Sequence, residues 1–388
     1  MPQKPIYLDY HATTPVDPRV LDAMLPYFTE KFGNAASRQH AYGWDAQKAV
    51  DVAREQVAAL IGASAGEIVF TSGASESNNL AIKGTACALR ARGRHLVTAV
   101  TEHKSVLDSF KRLEQDGCAV TWLRVDAEGF VDLEQLASSI TSETVLVSVM
   151  AANNEIGTVQ HLSRIGAIAC ERNVPFHTDA AQAAGKVPID VAADHIDLLA
   201  LTGHKYYGPK GAGALFVRRA TPRLQLEPQI DGGGHESGFR SGTLNVPGIV
   251  GLGAAAEICR LEMADESVRM RTLRDRLLAT LTRELRCVRV NGPLGERRLP
   301  HNLHINFDDV EGERLLMALG DLAVSTGSAC SSGSQKASHV LEAIGAASRP
   351  GASIRFGLGR WTTEAEIDTA AARVVKVVRS LSTTHAGN

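Results

Sequence analysis

Apolar positions along the chain follow two alternating periods. In residues 45–61, Ala49, Val52, Ala53, Val57 and Leu60 recur at helical spacing. Seven short apolar runs of strand type follow, at 67–71, 95–100, 119–125, 145–150, 174–178, 197–201 and 212–217. Helical stretches separate most of them. This alternation predicts an α/β fold with a large domain built on a mostly parallel seven-stranded sheet, covered on both faces. Polar clusters at 72–76, 102–103, 153–155, 179–182 and 202–205 stand at strand ends, the edge at which ligands collect in such sheets. The glycines Gly232–Gly234 and residues 237–242 read as a long flexible stretch. Beyond it the pattern predicts a long helix at 249–282, a strand at 304–307, a helix at 312–319, a Gly/Ser/Cys loop at 325–334 and a strand at 353–356. These form a smaller α+β domain, with the boundary near Glu262.

Composition narrows the class. At roughly 100–200 residues per domain, 388 residues predict two or three domains, or one large domain with a satellite. Lys and Arg number 41 and Asp and Glu 43, a net charge of −2. That argues against a nucleic-acid binder relying on a basic surface. The N-terminus lacks the pattern of a signal peptide, and no apolar run reaches membrane-span length. The six cysteines, Cys87, Cys118, Cys170, Cys259, Cys287 and Cys330, have no CxxC spacing. They read as reduced thiols of a cytoplasmic protein. All but Cys330 read as small core side chains.

Five places carry chemistry. Lys205 ends an apolar run and precedes a Gly/Pro-rich turn; partial burial there would lower its pKa, as a carbonyl-binding lysine requires. Asp179 directly follows another run, where a buried carboxylate needs a partner; helix N-cap is the plainer reading. On successive strand ends, the two form the pair that pyridoxal phosphate (PLP) uses. Residues 72–79, Gly/Ser-rich before an apolar helix, suit a phosphate, although the same pattern also marks an ordinary cap. Cys330 sits in the polar, glycine-rich run 328–333, where a thiol is exposed and reactive rather than structural. Arg355, in a short strand, suits a bidentate grip on a carboxylate, with an edge-strand surface charge as the alternative.

Together and in this order, these motifs resemble the cysteine desulfurases of the NifS/IscS type, fold-type I PLP enzymes. The resemblance extends from residues 6–15 to residues 355–360. It includes Thr101-Glu102-His103-Lys104, residues 153–157, Asp179-Ala180-Ala181-Gln182, Gly203-His204-Lys205 and Arg240-Ser241-Gly242-Thr243. It implies a fold-type I PLP-dependent transferase. Residues 15–262 would form the large PLP-binding domain; 1–14 with 263–388 would form the small domain carrying the cysteine loop. Lys205 would bind the PLP aldehyde and move protons, Asp179 would pair with the pyridine nitrogen and Gln182 would bond the phenolic oxygen. His103 would stack on the ring and act as an acid/base. Ala74, Ser75, Thr202 and His204 would hold the phosphate, with Thr243 reaching in from the other subunit of a homodimer. Asn154 and Arg355 would take the carboxylate of L-cysteine. Cys330 would receive the sulfur as a persulfide, releasing L-alanine, and pass it to an acceptor protein in iron–sulfur cluster assembly or another thiolation pathway.

The sequence departs from the family in places. Ser75 stands where threonine is frequent, and Ser237 where a basic residue is common. The last residues, 381–388, lack the apolar, Trp-containing tail of desulfurases that feed the iron–sulfur scaffold, which leaves the acceptor open. Selenocysteine lyase or aminotransferase activity on the same fold, and a non-catalytic binding module, are the competing readings; Cys330 and the intact set of site residues argue against them. No metal site is expected in the isolated chain, although Cys330 could serve as an iron–sulfur ligand together with a partner.

Overall fold

The computed structural model describes residues 4–219, 224–326 and 338–383. Its strands in chain order are β1 (Ile6–Tyr7), β2 (Ile68–Thr71), β3 (His95–Ala99), β4 (Ala119–Leu123), β5 (Thr144–Ser148), β6 (Phe176–Asp179), β7 (Leu198–Thr202), β8 (Gly213–Val217), β9 (Val288–Val290), β10 (Asn302–Phe307), β11 (Leu322–Ala323) and β12 (Ala352–Gly357). β2 to β8 form one seven-stranded sheet in the order β2-β8-β7-β6-β5-β3-β4. β8 alone runs against its neighbours β2 and β7; the other pairings are parallel. The mostly parallel sheet of the sequence reading is thus observed, and all seven runs are strands within it.

β2, β5, β6, β7 and β8 are buried at every position because both faces of the sheet are covered there, while the edge strand β4 is partly exposed. Successive residues point to opposite sides: Val97, Val147 and Leu199 pack in one cluster, while Leu96, Leu146 and Leu198 pack in another. A second, antiparallel sheet, β12-β10-β9, has its own core with Leu303, Ile305, Ile354 and Phe356. The short strand β1 pairs with β11 beside it. The helix Val246–Glu284, roughly 58 Å long, joins the two units. Ile249, Leu252 and Cys259 enter the first cluster, and Leu273, Leu277 and Leu281 the second. Glu262 therefore lies inside a continuous helix.

Two expectations are corrected. Of the five cysteines read as core residues, Cys87 and Cys170 are exposed, Cys118 and Cys287 are partly buried, and Cys259 alone is buried. Helical periodicity places a residue on a face, but the partner element decides whether that face is covered. The stretch at 232–242 is tied rather than loose. The Glu236 carboxylate accepts from Arg54 at 2.7 Å and from the Phe70 N–H at 2.7 Å. Among the described residues, no helix is long and apolar enough to cross a membrane.

Candidate active site

The carboxyl ends of β2, β6 and β7 border a cleft of about 560 Å³, also reached by residues 11–13 and by Arg355 of β12. After β2 the chain turns at Ser72-Gly73 into the helix Ala74–Ala88. The turn is braced: Thr71 Oγ1 bonds Ser77 Oγ at 2.8 Å, and Glu76 accepts from the Ser72 N–H at 2.8 Å while pairing with Arg240 at 2.9 Å. The first helical N–H groups, around Ala74 and Ser75, have no carbonyl one turn earlier and face the cleft with the positive end of the helix dipole. β8 packs tightly on this turn. A Cβ at Gly213 would lie 2.5 Å from Gly73 Cα.

Lys205 ends the single 3-10 turn after β7. Its Nζ donates to the His11 carbonyl at 2.5 Å and the Ala12 carbonyl at 2.9 Å. Thr202 is buried beside the Gly73 turn. His204 Nδ1 meets Thr13 Oγ1 at 3.2 Å. Burial, followed by the charges of Lys205 and Lys210, pushes the His204 imidazole down to about 4, so it is neutral at physiological pH.

Asp179 is 4% exposed. One oxygen accepts from the Ala181 N–H at 2.9 Å, the other from Asn78 Nδ2 at 2.7 Å. It caps a turn, not the helix allowed for in the plainer sequence reading. Asn78 also donates to Ser105 Oγ at 2.9 Å, and Ser105 Oγ lies 2.9 Å from His103 Nδ1. The Ser105 N–H donates to the same Nδ1, which is therefore the accepting nitrogen. A hydrogen-bonded line thus connects Asp179 to His103, two residues on different strand ends.

Arg355 is buried, which excludes the surface-charge reading. One guanidinium nitrogen pairs with Asp9 at 2.8 Å and another donates to the Asn154 carbonyl at 2.8 Å. Its buried Nε has no hydrogen-bond partner among the described residues. Asn154 and Gln182 also line the cleft. Thr243 is exposed and does not line the cleft of its own chain. Cys330 lies outside the described residues. On either side of that segment, the Arg355 N–H donates to the Ser325 carbonyl at 2.7 Å, and Ser338 Oγ donates to Glu155 at 2.5 Å.

Several site residues had escaped the sequence reading. His11 lies within residues 6–15, yet a lone histidine there carries no periodic or spacing signal. Asn78 stood in the Ser/Gly-rich run without an assigned role. Glu102, in the Thr101–Lys104 motif, is fully buried; desolvation, and then the Asp179 charge, push its pKa well above the ordinary carboxylate range, against the hydrogen bond from the Met150 N–H. Among the described residues, no group of three or more His, Cys, Asp or Glu side chains is arranged to hold a metal ion.

A buried carboxylate, a lysine, a braced helix start and an arginine thus meet around one cleft at the strand ends. The family described as Aminotransferase class-V matches residues 6–369. The cysteine desulfurase IscS of Anaeromyxobacter sp. (strain K) is 57% identical over 378 residues, covering 97% of this chain and 93% of that protein. A solved NifS-like protein superposes with a TM-score of 0.90 at 37% identity, over 97% of this chain and 100% of that one. A solved SspA in complex with cysteine is 39% identical with a TM-score of 0.79, over 92% of this chain and 100% of that one. The chain belongs to the cysteine desulfurases of the NifS/IscS type within the class-V aminotransferase family.

Proposed function

We propose that the cleft binds PLP and L-cysteine and that the chain transfers the cysteine sulfur to Cys330, releasing L-alanine. The observation that carries this reading is the convergence of Lys205, Asp179 and Arg355 on one cleft. The residues fit the coenzyme: the helix start suits a phosphate, the buried Asp179 carboxylate suits a protonated ring nitrogen, and the buried Arg355 Nε suits a substrate carboxylate. Bound PLP supplies an electron sink for loss of the substrate's Cα proton.

The chain's own residues do the rest. Lys205 would hold the coenzyme through its aldehyde carbon and carry protons at Nζ. Asp179, oriented by Asn78, keeps the ring nitrogen protonated. Gln182 donates to the phenolic oxygen. Ala74, Ser75, Thr202 and His204 hold the phosphate, and a neutral His204 contributes as a donor. His103 would stack on the ring and exchange protons through Nε2, since its Nδ1 accepts. Arg355 and Asn154 orient the substrate carboxylate. Cys330, as a thiolate, would attack the substrate sulfur; the Cβ–S bond breaks, its electron pair stays with the carbon fragment, which takes a proton on the way to L-alanine, and the sulfur remains on Cys330 as a persulfide for an acceptor protein.

A homodimer belongs to this reading. Phe28, Phe32, Tyr42 and Trp44 are 58%, 64%, 54% and 59% exposed, an apolar set that a second copy would cover. Exposed Thr243 would then be free to complete the partner subunit's phosphate site. Five free cysteines among the described residues accord with a cytoplasmic setting. Residues 15–262 and 263–388 with 1–14 would act as the large and small domains.

The test is an absorption spectrum of the purified protein with PLP, before and after L-cysteine, with alanine and sulfide assayed in parallel. A lysine-bound coenzyme band lost in Lys205→Ala, and alanine formation lost in Cys330→Ala with the band intact, are expected. Failure to take up PLP would move the binding-module reading to the front.

A further inference from the structure

The side chain Gln182 ends a buried line of hydrogen bonds that begins at the second sheet. Arg298, fully buried before β10, donates through one guanidinium nitrogen to Asn302 Oδ1 at 2.7 Å. Asn302 Nδ2 donates to the Glu155 carbonyl at 3.0 Å and meets His11 Nε2 at 3.1 Å. His11 Nδ1 meets Gln182 Oε1 at 2.9 Å, and Gln182 Nε2 donates to the His11 carbonyl at 3.1 Å.

The polarity of this line follows from its first member. An arginine has donors and no acceptor. Asn302 must turn its oxygen to Arg298; the reverse orientation would set donor against donor there and acceptor against acceptor at the Glu155 carbonyl. Its two amide protons then go to the Glu155 carbonyl and to His11 Nε2. An accepting Nε2 leaves the proton of a neutral imidazole on Nδ1, which donates to Gln182 Oε1. Gln182 cannot reverse either, since its oxygen would then face the His11 carbonyl. One amide proton of Gln182 goes to that carbonyl, and the second remains for the cleft that Gln182 lines.

The surroundings hold the line in place. His11 is 1% exposed, and its ring stacks on His301 with centroids 4.3 Å apart. Burial, and then the charge of Arg355, hold the His11 pKa well below its usual value, so the ring stays neutral. Gly157, at φ +75°, packs against Asn302; a Cβ there would lie 2.4 Å from Asn302 Oδ1.

We infer that Arg298, Asn302 and His11 are positioning residues that set the orientation of the Gln182 amide, so that it presents an N–H and not a carbonyl to the ligand in the cleft. The inference rests on the reading of that ligand as PLP, with Gln182 donating to its phenolic oxygen. The line connects the donor at the cleft to Asn302 at the start of β10.

The test uses the PLP-loaded full chain. In wild type, histidine-selective ¹⁵N spectra are expected to show His11 protonated at Nδ1 and bare at Nε2. The pH titration of the bound coenzyme's visible band reports the donor to its phenolic oxygen. Loss of that donor makes the oxygen more basic and moves the midpoint up. Gln182→Leu is expected to raise it by about one pH unit. His11→Ala and Asn302→Asp should raise it in the same direction, the latter by offering an acceptor to His11 Nε2 and inverting the tautomer. A shift in Gln182→Leu with none in either other variant would overturn the inference, as would a His11 protonated at Nε2. No shift in Gln182→Leu would overturn it by removing the donor role itself, and absence of any coenzyme band would instead sink the functional reading beneath it. The wild-type spectrum keeps the test decisive if one variant fails to fold.

Discussion

Replacing Arg360 by methionine should cost about 3 kcal/mol of stability, and the cost should depend on pH. Arg360 is a tenth exposed and pairs with Asp17 at 2.6 Å and Glu266 at 2.8 Å; the side chains of those partners are 3% and 9% exposed. Its guanidinium lies 4.3 Å from the centre of the Tyr207 ring, whose hydroxyl accepts the Arg360 backbone N–H at 2.7 Å. Stranding a buried charge costs about 3–5 kcal/mol. Two contacts survive in the variant, Arg19 on Asp17 at 2.8 Å and Lys186 near Glu266 at 3.7 Å, which brings the figure to the low end. Glu262, at 3.7 Å and well exposed, adds little. About 3 kcal/mol is roughly a 150-fold change in the unfolding equilibrium, or a drop of about 4 °C in Tm for a chain of 388 residues.

The pH dependence has a definite sign. Arg19, with Arg360 adding to it, holds Asp17 below the ordinary carboxylate range. Burial would raise Glu266, but Lys186 and Arg360 outweigh it and hold that group low as well. Both folded-state values lie below the unfolded ones, near 3.8 and 4.5. Their stabilisation is therefore complete above the unfolded values and is lost as the pH falls through the folded ones. In Arg360→Met the two carboxylates protonate at higher pH, Glu266 most of all because Arg360 is the smaller influence on Asp17. The gap between wild type and variant should be full at pH 7 and narrow below about pH 4.5. Urea unfolding of the two proteins across that range measures it. A loss of equal size at every pH, or a loss below about 0.5 kcal/mol at pH 7, would refute the reasoning.

Two further outcomes are expected. Glu102→Gln should leave thermal stability within about 1 kcal/mol of wild type, because burial already favours the protonated carboxyl and glutamine keeps the acceptor for the Met150 N–H; a large loss in Tm would show that Glu102 is ionised. Arg355→Lys should lower kcat/KM for L-cysteine by roughly 10–100-fold, mainly through KM, since an ammonium cannot keep the Asp9 and Asn154 contacts and also grip a carboxylate; unchanged steady-state kinetics would remove Arg355 from the substrate site.

The parallel sheet was legible because most of its strands are buried on both faces and so read as short, largely apolar runs between helices. Asp179, Lys205 and the Ser72–Glu76 turn were legible because each interrupts such a run at a strand end. The short strands β1, β9 and β11 left no comparable trace: two or three residues cannot establish a period, and their pairing depends on distant segments. Arg355 looked the same as a surface charge until β12 was placed against Asp9 and Asn154. His11 and Asn302 are 291 positions apart, and no local pattern joins them.

The amino-acid sequence by itself determined the alternation of elements, the strand-end positions of the polar clusters and the residue types available for chemistry, because these depend on periodicity and local context. Only the tertiary structure decided which polar groups meet, which carboxylates are desolvated and which way each amide turns. Those properties are set by contacts between segments far apart in the chain and by removal of water from around them, and neither is encoded in any single stretch of residues.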